Sequence, residues 1–245
     1  MKAFIQRILQ NILGYDRYLW YFTLYKLRTL KMDKHENDFF HFLTLIKGHS
    51  TVLDIGANLG LMSFHMAKKA KVCYAFEPMP NNIGIIKRVK NKYSLTSLNL
   101  LQNALGNKDR AIDLVLPIVD GVKKQGLSHV VDEKMTEFND GTIHKTMCYT
   151  LDTQKEIQGL QIDAIKIDVE NFEYEVFVGG EEMLKRCKPI IYCELWDNQN
   201  RINSFEFLRG LGYEIMVLEN GKLEEIQSNP SHIQNFFFIP THVKS

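Results

Sequence analysis

The stretch TVLDIGANLG, residues 51–60, limits what this chain can fold into more than any other segment. A short apolar, β-branched run ends in Asp54, passes through Gly56, Ala57, Asn58 and Gly60, and opens into the helix-like LMSFHMAKKA. Strand, glycine turn and helix make the first half of a βαβ unit, which commits the rest of the chain to a mostly parallel sheet covered by helices. The alternation continues. Strands are expected at 51–55, 72–77, 98–103, 111–116, 163–169, 189–195, 213–218 and 234–239, and helices at 59–70, 80–92, 173–186 and 202–211. The last two strands have no helical segment between them and are expected to pair antiparallel through Asn220-Gly221, a favoured turn pair.

Length and composition frame this core. At 245 residues the chain accommodates one sizeable domain, expected over 48–245, with a helical extension over 1–47. In that extension Phe4, Ile8, Ile12, Leu19, Phe22 and Tyr25 recur at helical spacing, broken near Gly14, so two or three helices are expected over the C-terminal edge of the sheet. From Met1 to Lys31 six basic residues face one acid, Asp16. That bias suits an ordinary packed cap, a subunit contact in a homo-oligomer, or a helix lying on an anionic membrane or gripping a lipid-linked acceptor. Residues 116–150 read as a long irregular segment, of the kind that carries function.

Several function classes are disfavoured. Thirty basic against twenty-nine acidic residues leave a charge of +1, too little to attract a phosphate backbone, so nucleic acid is not expected as a partner. Cys73, Cys148, Cys187 and Cys193 show no CxxC spacing, which implies a reducing, cytoplasmic setting and no metal site. No cleavable leader is expected, and the apolar run Tyr18–Tyr25 is far short of the roughly 20 residues of a membrane span.

The glycine loop has the spacing G-x-N-x-G rather than the G-x-G-x-x-G of dinucleotide enzymes, which disfavours a pyrophosphate reading. Glu77 stands twenty-three residues after Asp54, at the end of the next strand in YAFEP and just before Pro78. There a carboxylate can accept both hydroxyls of a ribose. The third strand ends at Asn103 and Ala104, suitably placed to line an adenine pocket. In AIKIDVENFE, Lys166, Asp168 and Glu170 are expected to alternate along one face of a strand that should be nearly all apolar. Either they form a buried ion-pair network with Glu194 or they border a site at the strand's C-terminal end.

In this order VLDIGANLG, FEPMPNN, NALG, TLD, IKIDVENFE and PIIYCEL resemble the FkbM family of S-adenosylmethionine-dependent O-methyltransferases, over about residues 50–195. The resemblance implies a Rossmann-like class I methyltransferase sheet with an antiparallel C-terminal hairpin, and S-adenosyl-L-methionine as cofactor. It implies that Asp54, Gly56, Asn58 and Gly60 contact the methionine portion, Glu77 the ribose, and Asn103 and Ala104 the adenine. Ala57, Pro78 and Asp168 would complete the cofactor site, with Asp168 and Glu170 beside the transferred methyl group. Asn171 departs from the family's glycine but tolerates the same left-handed turn. Methyl transfer is an in-line displacement that needs no metal. If the acceptor is a hydroxyl, on a sugar, a glycolipid, a lipid-linked intermediate or a secondary metabolite, a base must take its proton. Candidates are His129, in QGLSHV, and Asp168, with Glu170 and Glu194 behind them. The competing classes are a nicotinamide oxidoreductase and a non-catalytic adenosyl-binding protein.

Overall fold

A computed structural model of the chain describes residues 2–131 and 140–241. Three helices come first, α1 (Lys2–Leu13), α2 (Tyr15–Thr29) and α3 (Asn37–Leu45). The alternating core follows with β1 (Thr51–Ile55), α4 (Leu61–Lys69), β2 (Val72–Phe76), α5 (Pro80–Lys92) and β3 (Leu98–Leu101). Five extended segments interrupt it: β4 (Ala104–Leu105), β5 (Arg110–Val119), β6 (Val122–Lys123), β7 (His129–Val130) and β8 (Gly141–Tyr149). The core resumes with β9 (Ala164–Ile167), α6 (Glu173–Val178), α7 (Glu181–Cys187), β10 (Ile190–Glu194) and α8 (Gln199–Gly210), and ends in β11 (Tyr213–Glu219), β12 (Lys222–Glu225) and β13 (Asn235–Pro240).

The main sheet has eight strands in the order β12-β11-β13-β10-β9-β1-β2-β3. From β10 to β3 every pairing is parallel, whereas β13 enters antiparallel between β10 and β11. Successive strand residues point to opposite faces, and both faces are covered. Leu53, Ile165, Ile191 and Phe238 pack with Phe177, Leu184 and Leu208 of α6, α7 and α8 on one side. Val52, Ala164, Tyr192 and Phe237 pack with α4 and α5 on the other, together with Tyr18, Leu19, Phe39 and Phe42. Helices α2 and α3 therefore share the sheet's own core on one face.

Four expectations are corrected. Asn220 and Gly221, both at positive φ, do form a two-residue turn, but it joins β11 to β12. The missed strand β12, KLEE, is polar because it is the sheet's outer edge, where charge blocks further pairing. Much of the supposedly irregular 116–150 segment is a second, five-stranded sheet in which β5 and β8 pair antiparallel from Arg110↔Cys148 to Pro117↔Gly141, although residues 132–139 lie outside the described part. The helix expected at 173–186 is two helices, divided at Gly179-Gly180. Finally, β9 stops at Ile167, so Glu170 does not share a strand face with Lys166; Glu170 and Asn171 sit at φ 54° and 70° in a left-handed turn.

One close approach fixes where the β1 loop meets the end of β9. Gly56 has φ 76°, and a Cβ there would lie 1.8 Å from the Asp168 carbonyl oxygen. Gly56→Ala combines an unfavourable φ with a backbone clash and is expected to cost at least about 2 kcal/mol. Denaturant unfolding checks this: the midpoint should fall with an unchanged slope.

Candidate active site

The loop after β1 is tied to β2 by its backbone. Gly56 and Ala57 N–H both donate to the Phe76 carbonyl at 3.0 Å, and Gly60, at φ 74°, starts α4. This leaves Asn58 at φ 49° with its N–H turned to Glu77 Oε2, 2.7 Å away. Glu77 Oε1 accepts from Met79 N–H at 2.8 Å and from Asn82 Nδ2 at 3.2 Å. The carboxyl is almost fully buried, and burial pushes it up to about 7 against the pull of those three donors. A carboxylate offers about four acceptor directions, so capacity remains for a donor from the cleft that Glu77 lines.

Beside it lies a buried ion cluster. Lys166 Nζ donates to the Gly56 carbonyl at 2.8 Å, with Asp54 Oδ1 at 3.3 Å and Asp168 Oδ2 at 3.6 Å. Burial alone would lower Lys166, but the Asp54 and Asp168 carboxylates outweigh it and hold the ammonium above its ordinary value. Asp54 is fully buried and also accepts from Ser63 Oγ. Lys166 belongs to an ion-pair network, while Asp168 and Glu170 also face a cleft.

The left-handed turn at 170–171 is held from outside. Glu173 Oε1 accepts from Val169 and Asn171 N–H at 3.0 and 3.2 Å. Asn198 Nδ2 donates to Asn171 Oδ1 at 2.7 Å, and Asn200 Nδ2 to the Asn171 carbonyl at 2.6 Å. Burial, then neighbouring carboxylates, raises Glu170 and Glu194 well above the ordinary range. Burial raises Glu173 to about 8.

One cleft brings together Gly56, Asn58, Glu77, Pro78, Asn103, Asp168 and Glu170 from the main sheet's strand ends and the chain leaving them, with Ala104 and His129 from the second sheet. Asp54, Ala57, Gly60 and Glu194 are not on its wall. Asp54 faces Lys166, Ala57 is packed in the core, Gly60 abuts Ile86, and Glu194 lies half-buried at the end of β10. The sequence reading missed Asn82, which stands five residues beyond Glu77 on the first turn of α5, and Phe172, at the foot of α6. It also missed Glu36, a half-buried carboxyl before α3 whose electrostatic neighbours include Asp168 and Lys166. Nothing in the local pattern around Glu36 signals that proximity.

The cleft's carboxyl-rich end suits a cationic group, and Phe76, Leu105, Leu114 and Phe172 give the wall an apolar part suited to a flat base. Among the described residues no three His, Cys, Asp or Glu side chains gather as a metal-ligand set.

These raised carboxyls have a direct consequence for stability. Glutamates ordinarily titrate near 4.5, whereas Glu77 and Glu173 keep their protons to about 7 and about 8, and Glu170 and Glu194 shift in the same direction. Between about 4.5 and about 8 the folded chain therefore binds more protons than the unfolded one, and stability falls as pH rises through that window. Calorimetry of the ligand-free chain should give a Tm that declines across it, with a shallower slope in Glu173→Gln. A Tm that climbs with pH would refute the assignment.

Comparison with known proteins places the chain. The Methyltransferase FkbM domain matches residues 54–215, well over half of it. Among solved structures, it is similar to Methyltransferase FkbM of Methylobacillus flagellatus KT, with a TM-score of 0.53 and 12% identity, covering 78% of this chain and 44% of that one. A Streptococcus mutans protein described as a methyltransferase, in complex with SAH, matches with a TM-score of 0.50 and 9% identity over 84% of this chain and 96% of that one. A curated relative from Methanosphaera stadtmanae, named as a ribosomal RNA small subunit methyltransferase A, is 35% identical over 77 residues. The chain spans 26% of that relative's length and less than half of the Methylobacillus protein. The chain belongs to the FkbM methyltransferase domain family, and its main sheet has the fold of the class I S-adenosylmethionine-dependent methyltransferases.

Proposed function

We propose that this chain is an O-methyltransferase that moves the methyl group of S-adenosylmethionine to a hydroxyl of a sugar, glycolipid, lipid-linked intermediate or secondary metabolite. The observation that carries this reading is one cleft shared by the Glu77 carboxyl, the Asp168–Glu170 strand end and His129. Residues 48–245 are taken as the catalytic unit, with 1–47 an extension that adds Glu36 near the acidic end.

In this reading Glu77 accepts the ribose hydroxyls beside Pro78, and Asn103 and Ala104 line the adenine with Phe172. Gly56, Asn58 and Asp168 face the methionine portion. Asp54, Ala57 and Gly60 are off the wall and act by positioning the loop. Bound S-adenosylmethionine supplies an electrophilic methyl group on a cationic sulfur. The protein's share is alignment and exclusion of water. His129 is assigned as the base. Its Nδ1 lies 2.9 Å from the Leu127 carbonyl, a contact that orients the ring in the cleft wall. Glu170, held protonated to above neutral pH, acts there as a hydrogen-bond partner, with Asp168 as the second candidate base and Glu194 the third. A hydroxyl on a small acceptor is favoured over RNA because the chain carries almost no net charge and this end of the cleft is acidic.

S-adenosylmethionine should bind stoichiometrically by calorimetry, and Glu77→Ala should weaken it by about 1 to 3 kcal/mol. Unchanged affinity would remove the ribose role. Incubating a cell extract with the enzyme and deuterated methyl donor, then analysing it by mass spectrometry, should reveal a labelled ether. His129→Ala should slow its formation by about a hundredfold or more, with donor affinity intact. Label on nitrogen or carbon, or on RNA, would replace this reading.

A further inference from the structure

Helix α1 is packed with its polar side inward. Gln10 Nε2 donates to the Lys123 carbonyl, and Lys123 N–H donates to Gln10 Oε1, both at 3.2 Å. Lys124 Nζ donates to Gln6 Oε1 at 2.8 Å. Gln6 and Gln10, one turn apart, thus fasten α1 to β6. The other side carries Phe4, Ile5, Ile8, Leu9 and Ile12, which share one helix face and are all exposed, Phe4 to 67% and Ile12 to 75%. A helix on a globular core normally does the reverse. Turning this stripe outward leaves a patch that needs an apolar partner.

We infer that α1 docks this chain on the surface of an anionic lipid bilayer. Charge selects that partner. Helix α1 has no acidic residue, Arg7 and Arg17 are exposed, and the acid nearest in sequence, Asp16, is engaged by Asn81 Nδ2 at 2.6 Å. An apolar face flanked by basic side chains is the composition of a helix that lies in a headgroup region, and no helix among the described residues is long and apolar enough to cross a membrane. The geometry also links this surface to the cleft. Lys123 and Lys124, which α1 holds, run directly into Gln125, Ser128 and His129 of its wall. Docking would bring that wall to the lipid surface.

Flotation of the full chain tests the inference, using vesicles of phosphatidylcholine alone and vesicles containing about one-third phosphatidylserine. The anionic vesicles should retain about tenfold more protein, and high salt should release it. Ile8→Glu and Ile12→Glu replace exposed side chains, so circular dichroism should be unchanged while flotation is lost. Equal recovery on both vesicles, or none on either, overturns the inference. A dimer in sedimentation that Ile12→Glu dissolves, with no flotation, also overturns it and assigns the face to a second copy. None of these outcomes depends on methyl transfer.

Discussion

The site depends on one buried ammonium. Lys166 rises from β9 between the ends of β1 and β9 and meets the Asp54 carboxylate, the Gly56 carbonyl and the Asp168 carboxylate. A charge in that position is tolerable only because it has partners on all three sides, and removing one of them would leave an uncompensated ion. In return Lys166 locks the glycine loop to the neighbouring strand. The same loop presents Asn58 N–H to Glu77, so the position of the Glu77 carboxyl follows from the ion cluster one strand away.

This arrangement explains which parts were legible in sequence. The core strands were readable because a parallel strand covered on both faces must be apolar throughout, and the glycine loop because φ near 75° at Gly56 and Gly60 excludes most residues. Asp54 was visible as a strand-end acid, but such an acid looks the same whether it faces a ligand or Lys166. Glu170 was misplaced because a period of two was extended past Ile167, where two left-handed residues abolish it. Strand β8 escaped because GTIHKTMCY covers the core with one side only, and nearly all its residues are at least partly exposed.

The N-terminal helices illustrate the same limit. Periodicity identified their apolar stripes, yet a stripe does not say what it faces. In α2 and α3 it faces the core, with Leu19, Phe39 and Phe42 wholly buried; in α1 it faces outward. Residues 15–46 are therefore not a detachable cap. Deleting them would strip one face of the sheet, so lost turnover in such a truncation would say nothing about a lid. Point substitutions on α1 separate surface from core because its exposed residues contribute little to packing.

The carboxyls at the cleft's acidic end are costly to the folded chain, since burial opposes their ionisation and each discourages the next. Backbone donors and Lys166 offset only part of this. An apolar site would avoid that cost, but it would not distinguish a cationic donor from the neutral thioether left after its methyl group has gone. On the proposed reading the distinction is built in: a cationic sulfonium would give the carboxyls at that end a counter-charge, and a neutral thioether would not. On the proposed reading, the strain in the ligand-free protein and a preference for donor over product have one origin, the excess of carboxyls over the single Lys166 ammonium.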